Sequence, residues 1–132
     1  LVNLGTDLFP TLFDFAGIEK PAGLRGVSAA PAAMGRAEDS AREFIVVENN
    51  HHSGVGQPTD THGRMVRSAR YKYIRYSKGE KREQMFDLEL DPGETRDLTL
   101  DPAAEAVLNA HRAMLNRYID ETNDWFPRWT AA

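Results

Sequence analysis

Residues 85–98, Met-Phe-Asp-Leu-Glu-Leu-Asp-Pro-Gly-Glu-Thr-Arg-Asp-Leu, constrain this chain more than any other stretch. Gln84 to Leu88 reads as a strand that runs straight into a tight acidic turn. In Asp91-Pro92-Gly93-Glu94, Asp91 can bond its own backbone two residues on. Pro92 fixes φ at the second position and Gly93 takes the strained third. Glu94 and Asp97 add carboxylates beyond the turn. A hard-cation loop needs oxygens at several alternating positions, and this turn is too short to supply them. The acidic cluster is therefore read as a structural turn.

Upstream lie further strand signals. Glu43 to Glu48 (Glu-Phe-Ile-Val-Val-Glu) is β-branched and reads as a buried strand. Asn49 to Gly63 is polar and Gly-rich, hence a loop. Arg64 to Ala69 alternates weakly. Tyr71 to Tyr76 (Tyr-Lys-Tyr-Ile-Arg-Tyr) is a stronger strand. Only a tight turn fits between these two, so they should pair as a hairpin. Gly79 supplies a φ > 0 position in the next turn. The result is a meander of about four antiparallel strands with one face in need of cover.

The last helix provides that cover. Asp101 is an N-cap residue and Pro102 suits the first helical position. Val107, Leu108, His111, Met114, Leu115, Tyr118 and Ile119 recur at helical spacing on one side, while Glu105, Asn109, Arg112, Asn116 and Arg117 take the other. Such a helix should lie across the sheet. Trp125, Phe126 and Trp129 follow as an aromatic tail, which either caps the core edge or docks on a partner surface. The predicted fold class is α+β. It consists of an antiparallel sheet of about four strands packed against one long C-terminal helix, preceded by a short helix and a Pro/Gly/Ala-rich connector.

The short helix is read over residues 7–16, with Thr6 as N-cap and Gly17 as the C-terminal stop. Leu8, Leu12 and Phe15 share a face that Phe9 and Phe13 broaden. That apolar surface belongs either to this domain's own core or against something outside it. Lys20 to Ser40, punctuated by Pro21, Gly23, Gly26, Pro31 and Gly35, reads as a connector in which Ala29 to Met34 forms at most a helical turn.

Composition narrows the functions open to such a fold. A net charge of −4 with both signs mixed argues against nucleic-acid binding, which needs a basic footprint. The absence of Cys removes disulfides, zinc-thiolate sites and cysteine nucleophiles. No apolar run approaches the roughly 20 residues of a membrane span. The serines sit in no recognisable nucleophile context.

His51, His52 and His62, with Asn49, Asn50 and Asp60, concentrate polar chemistry in the 49–63 loop. Adjacent histidines do not readily point at one ion, and no His-x₃-His pair exists, so a metal site is not favoured. A loop of that length is often functional, and a substrate-lining role competes with a merely solvated surface. His111, on the apolar helix face, reads as a boundary residue with one nitrogen satisfied. Arg64, Arg67, Arg70, Lys72 and Arg75 alternate along the hairpin and read as solvated sheet positions paired with local acids.

Several segments, in order, resemble the sulfatases of the alkaline phosphatase superfamily. Thr6 to Ile18 (TDLFPTLFDFAGI) resembles that family's DLxPTLLDLAGI helix. Leu24 to Ser28 (LRGVS) resembles its L-x-G-x-S-L connector, and Arg64 to Ile74 (RMVRSARYKYI) resembles RxVRTxRYKYI. Phe86-Asp87-Leu88, Asp91-Pro92-Gly93-Glu94 and Asp97-Leu98 resemble YDLxxDPxExxNL, with Phe86 in place of Tyr and Asp97 in place of Asn.

The resemblance implies that residues 1–18 are the terminal helix of a catalytic domain, 19–42 a connector, and 43–132 the α+β C-terminal subdomain. It implies a parent that hydrolyses sulfuric esters with calcium and a formylglycine made from Cys/Ser-x-Pro-x-Arg. That motif is absent here, and the family's calcium ligands lie earlier in its chain, so no catalytic or metal residue carries over. Related phosphonate and phosphodiester hydrolases share the plan, so the reaction class rests on analogy.

Within such a parent, Asn49, Asn50, His51, His52, His62 and Arg64 are the candidate substrate-lining residues. They would face a sulfated sugar or small aryl sulfate, and the partner of this chain would be the catalytic domain. An exported parent (periplasmic, extracellular or lysosomal) fits the resemblance, and the chain itself specifies no compartment. The other reading is a non-catalytic interaction module that docks, or self-associates, through the apolar helix and Trp-rich tail.

Overall fold

A computed structural model describes residues 1–36, 42–51 and 61–130. The chain divides into two compact units, residues 1–45 and 46–132.

The first unit is organised by one helix, α1 (Leu4–Ala16). The helix begins three residues before the expected start. Asn3, not Thr6, is the N-cap, its side chain accepting from Gly5 N–H at 3.1 Å. Gly17 ends it at φ 65°, the left-handed turn that glycine adopts without a Cβ penalty. Asp7, at 2% exposure, is the hub. Its carboxylate accepts from Asn3 N–H (2.6 Å), Thr6 Oγ1 (3.0 Å), Val27 N–H (3.0 Å) and the Arg42 guanidinium (2.8 and 2.9 Å). Burial alone would raise its pKa. The Arg42 pair and the backbone donors outweigh that and hold it below the ordinary carboxylate range.

The stretch read as a connector folds back on this helix. Thr11 Oγ1 accepts from Ala29 N–H at 2.9 Å, and a short helix, α2 (Ala30–Ala33), follows with Ala30 fully buried. Gly26 lies so close to α1 that a Cβ would fall 1.8 Å from the Thr6 carbonyl oxygen.

The second unit is built on a four-stranded antiparallel sheet in the order β1 (Ile45–His51), β2 (Thr61–Arg67), β3 (Tyr71–Tyr76), β4 (Glu83–Asp87). Both strands flanking the polar loop run further than propensity indicates. β1 continues through Asn49 and Asn50 to His51, and β2 starts at Thr61. Ladder pairing overrides the turn preference of Asn, and an edge strand such as β1 tolerates polar side chains. The expected hairpin forms, with Arg67 opposite Lys72 and Ser68 N–H bonded to the Tyr71 carbonyl at 3.0 Å. Gly79 takes φ 112° in the next turn.

Register places Val66, Tyr73 and Met85 in one cross-strand row, and all three are fully buried. The long helix α3 (Glu105–Thr122) covers this face with Leu108, His111, Leu115 and Ile119. It is introduced by a 3₁₀ turn, Pro102–Ala104, which Asp101 caps through Ala103 N–H at 3.0 Å. His111 uses both ring nitrogens, Nδ1 at 2.8 Å from the Val107 carbonyl and Nε2 at 3.0 Å from Ser68 Oγ. The helix's polar side is also engaged, since Arg112 reaches Glu83 at 3.0 and 2.6 Å.

The acidic turn differs from expectation in one detail. The positive φ (54°) falls on Glu94, not Gly93. Glu94 N–H closes the turn on the Asp91 carbonyl at 3.0 Å, and Lys72 Nζ holds the Glu94 carboxylate at 2.6 Å. A tertiary ion pair thus stabilises a backbone conformation that costs a non-glycine residue. The turn acids serve the backbone. Asp91 accepts from Arg96 N–H (2.8 Å), and Asp97 accepts from Met85 N–H (3.1 Å) and Thr99 N–H (3.0 Å).

Candidate functional site

The polar residues singled out in the sequence fall at the end of the second unit where β1 and β2 adjoin the chain leaving α3. Asn49 and Asn50 are exposed near the end of β1, which His51 closes. His52 lies outside the described residues. His62, on β2, sits with Nδ1 2.8 Å from Asn50 Oδ1, so the structure brings these two candidates together across adjacent strands.

Arg64 follows His62 by two residues and therefore shares its side of the strand. It is only 1% exposed. Its Nε donates to Asp124 Oδ2 at 2.7 Å, Nη2 to Asp124 Oδ1 at 3.0 Å, and Nη1 to the Gly63 carbonyl at 2.9 Å. Glu48 adds a longer contact at 3.5 Å. Burial works against the charge of both partners. Their mutual hydrogen bonds outweigh it, so the Asp124 carboxyl is held below its ordinary range and the Arg64 guanidinium above its own.

The reading of the hairpin arginines as solvated positions is thus corrected for Arg64, and also for Arg75, which is 6% exposed. These two stand directly opposite each other on β2 and β3. Like charges so placed repel. The tail beyond α3 separates their partners, with Asp124 taking Arg64 and the Arg128 carbonyl taking Arg75 Nη2 at 3.0 Å. Burial pushes the Arg75 pKa down, and its Nη1 finds no hydrogen-bond partner among the described residues. Sequence alternation cannot show this, because the accepting groups lie 53 and 60 residues away.

The aromatic tail divides its work. Asn123 adopts the left-handed conformation (φ 53°) and turns the chain out of α3. Asp124 Oδ1 accepts from Phe126 N–H at 3.2 Å, and Phe126 is buried beneath the Arg64 guanidinium, 4.8 Å from the ring centroid. Trp129 lies under Arg112, 4.3 Å from ring to guanidinium, with its backbone N–H and carbonyl tied to Asn116 at 2.9 Å each. Trp125 stays 63% exposed while contacting His62 edge-on at 4.6 Å. Asp124 and Trp125 complete the site, and no local signal marks Asp124 as Arg64's partner. Tyr118 backs the corner, its hydroxyl donating to Glu48 at 2.8 Å. Burial and that carboxylate push the phenol up to about 12.

A concavity of about 280 Å³ lies beside the acidic turn and is lined by Tyr71, Asp87, Asp91, Arg96, Leu98 and Val107 among others. Its charges are paired internally, Asp87 with Arg70 at 2.6 Å and Arg96 with Asp101 at 2.7 Å. The Arg70 hydrogen bonds hold the Asp87 carboxyl at about 2.

Comparison with known proteins gives this geometry its context. The family model for N-sulphoglucosamine sulphohydrolase, C-terminal, matches residues 2–121. A delta 4,5-hexuronate-2-O-sulfatase of Bacteroides thetaiotaomicron is 42% identical over 118 residues, covering 89% of this chain and 24% of that protein. Arylsulfatase K of Rattus norvegicus is 34% identical over 141 residues, covering 92% and 24% respectively. Among solved structures, a 2-O GAG sulfatase superposes with a TM-score of 0.78 at 41% identity, over 89% of this chain and 25% of that one.

The chain therefore belongs to the sulfatases of the alkaline phosphatase superfamily, as a sulfatase C-terminal domain. It spans about a quarter of the length of the curated relatives it matches, at 24% of each. Calcium and formylglycine are typical of the family's catalytic domain. The residues here fit neither group. There is no Cys, and no Ser stands in the x-Pro-x-Arg context. Among the described residues no three His, Asp or Glu side chains gather as a metal site.

Proposed function

We propose that this chain serves a sulfuric ester hydrolase acting on a sulfated sugar, supporting its catalytic domain and lining the substrate pocket, and that it is inactive alone. The Asn50–His62 pair carries this reading. Two hydrogen-bonding side chains are brought together on neighbouring strands at one end of the sheet, over a buried Arg64–Asp124 base that fixes β2 to the tail. Asn49, Asn50, His51, His52 and His62 supply the pocket's donors and acceptors. Arg64 acts beneath them as a positioning residue, because its guanidinium is already committed.

Residues 1–18 belong, in this reading, to the catalytic domain. The supporting observation is the outward apolar surface of α1, where Leu4, Leu8, Phe9, Leu12 and Phe15 are all exposed and which suits packing against a further apolar layer. The same surface, together with Trp125, is what favours the alternative of an interaction module. α3 offers no such surface, since its apolar side is already buried.

The test uses a full-length sulfatase carrying this sequence. N50A and H62A should change relative kcat/KM between a 2-O-sulfated unsaturated disaccharide and a small aryl sulfate. Unchanged ratios would remove the pocket-lining role. Sulfate release by the 132-residue chain itself would remove the claim of inactivity.

A further inference from the structure

We propose that Trp125 is a stacking platform for a sugar ring of the substrate, beside the Asn50–His62 pair; this rests on the pocket-lining reading above. Trp125 is 63% exposed, whereas the next residue, Phe126, is 2% exposed. An indole is costly to leave in water, and this one is also held in place. The His62 and Trp125 rings meet edge-on, with centroids 4.6 Å apart and an interplanar angle of 87°. The Arg64 guanidinium stands 5.7 Å from its centroid, and Phe126 lies tilted at 6.3 Å. Its backbone is pinned by Asp124 on one side and buried Phe126 on the other. An aromatic plane fixed before binding loses little conformational freedom when a ring settles on it.

The surroundings specify what kind of group the plane takes. A pyranose offers an apolar C–H face edged by hydroxyls. The corner matches that pattern, with an exposed indole adjoining an exposed amide and an imidazole. It does not match a sulfate. The cation within reach, Arg64, is neutralised by Asp124 and Glu48, and Glu48 is itself partly exposed. Trp125 therefore reads the carbohydrate ring, not the ester group, and affects substrate affinity more than turnover.

The experiment compares W125A, W125L and W125F in the full-length sulfatase, using a 2-O-sulfated unsaturated disaccharide as substrate and its desulfated counterpart as inhibitor. W125A and W125L should raise KM about tenfold with kcat changed less than about twofold, a loss near 1.4 kcal/mol. Inhibition by the desulfated disaccharide should weaken in parallel, and W125F should restore both to within about threefold. The proposal is overturned if KM and inhibition are unmoved in W125L. It is equally overturned if the variants lower the melting temperature and kcat without altering KM, the result expected were Trp125 buried against the rest of the polypeptide. Should W125L fail to fold, the desulfated inhibitor's affinity for W125F against W125Y decides, since both keep a plane and only a stacking role tracks its size. If N50A and H62A alter kcat/KM while W125L does not, this inference falls and the pocket-lining reading stands; if all are silent, both fall.

Discussion

In α3, Leu108, Leu115 and Ile119 are buried and Arg117 and Asp120 face solvent; in α1, Asp7 and Pro10 are buried while Leu4, Phe9 and Phe15 lie 73%, 62% and 55% exposed. Both helices carry an apolar stripe of the kind that sequence periodicity detects. One has its layer, the sheet of the second unit. The other is secured from its polar side, by the hydrogen bonds that converge on Asp7. An amphipathic pattern thus says that a helix needs a partner surface, and only the structure says which side this polypeptide covers.

That contrast can be broken most sharply at the buried ion pairs. D124A strips Arg64 of its partner in a site where both side chains are nearly inaccessible, and should destabilise the second unit by about 3–5 kcal/mol. Urea unfolding followed by Trp fluorescence measures it. A loss under about 1 kcal/mol would mean that Arg64 finds water or Glu48 instead. L115A, in the α3–sheet core, should cost about 2–5 kcal/mol by the same measurement.

G26A tests the first unit at a close backbone approach, where the added methyl also meets Pro10 Cγ at 3.0 Å. Its new methyl must displace the Thr6 carbonyl, at a cost of about 1–3 kcal/mol, with Asp7 and Arg42 intact. Loss of amide-exchange protection at Val27 and Ala29 would report it.

Acid should weaken both units together. Asp7 and Asp124 have folded pKa values below their ordinary value of 3.8, so their ionised forms favour the fold. The stability they contribute is present above about pH 4 and drains away as pH falls through the lower folded values; Asp87, held at about 2, acts in the same direction. A circular-dichroism melting midpoint that stays level from pH 5 to pH 2 would contradict this. The smallest effect is expected from F9S, within about 0.5 kcal/mol for the 132-residue chain, because the side chain is largely in water. In a full-length sulfatase the same change should cost several times more if that face is covered there.

Strand and helix identities were legible because each rests on local signals. The hairpin at Arg67–Tyr71, the Gly79 turn and the Asp101-Pro102 helix start all appear where turn and capping chemistry put them. The candidate site was legible only in part. A polar, His-rich segment drew attention to Asn50 and His62, whose pairing the structure supplies. Arg64, named among the candidate lining residues, also read as a solvated sheet arginine. Its partner, Asp124, is 60 residues away, and no periodicity links them. The strained residue of the acidic turn was misplaced by one, to Gly93, because local propensity has no knowledge of Lys72 holding Glu94.

The sequence by itself determined the order of elements, the pairing of two strands as a hairpin and the family, since backbone preference and motif spacing are written in neighbouring residues. Only the tertiary structure decided that Asp7 is inward and Phe9 outward, that Arg64 and Arg75 are buried with partners from the tail, and that Trp125 stays exposed beside His62. Those outcomes depend on which groups meet across tens of residues, where burial cost and hydrogen-bond gain are settled by contacts that no local pattern encodes.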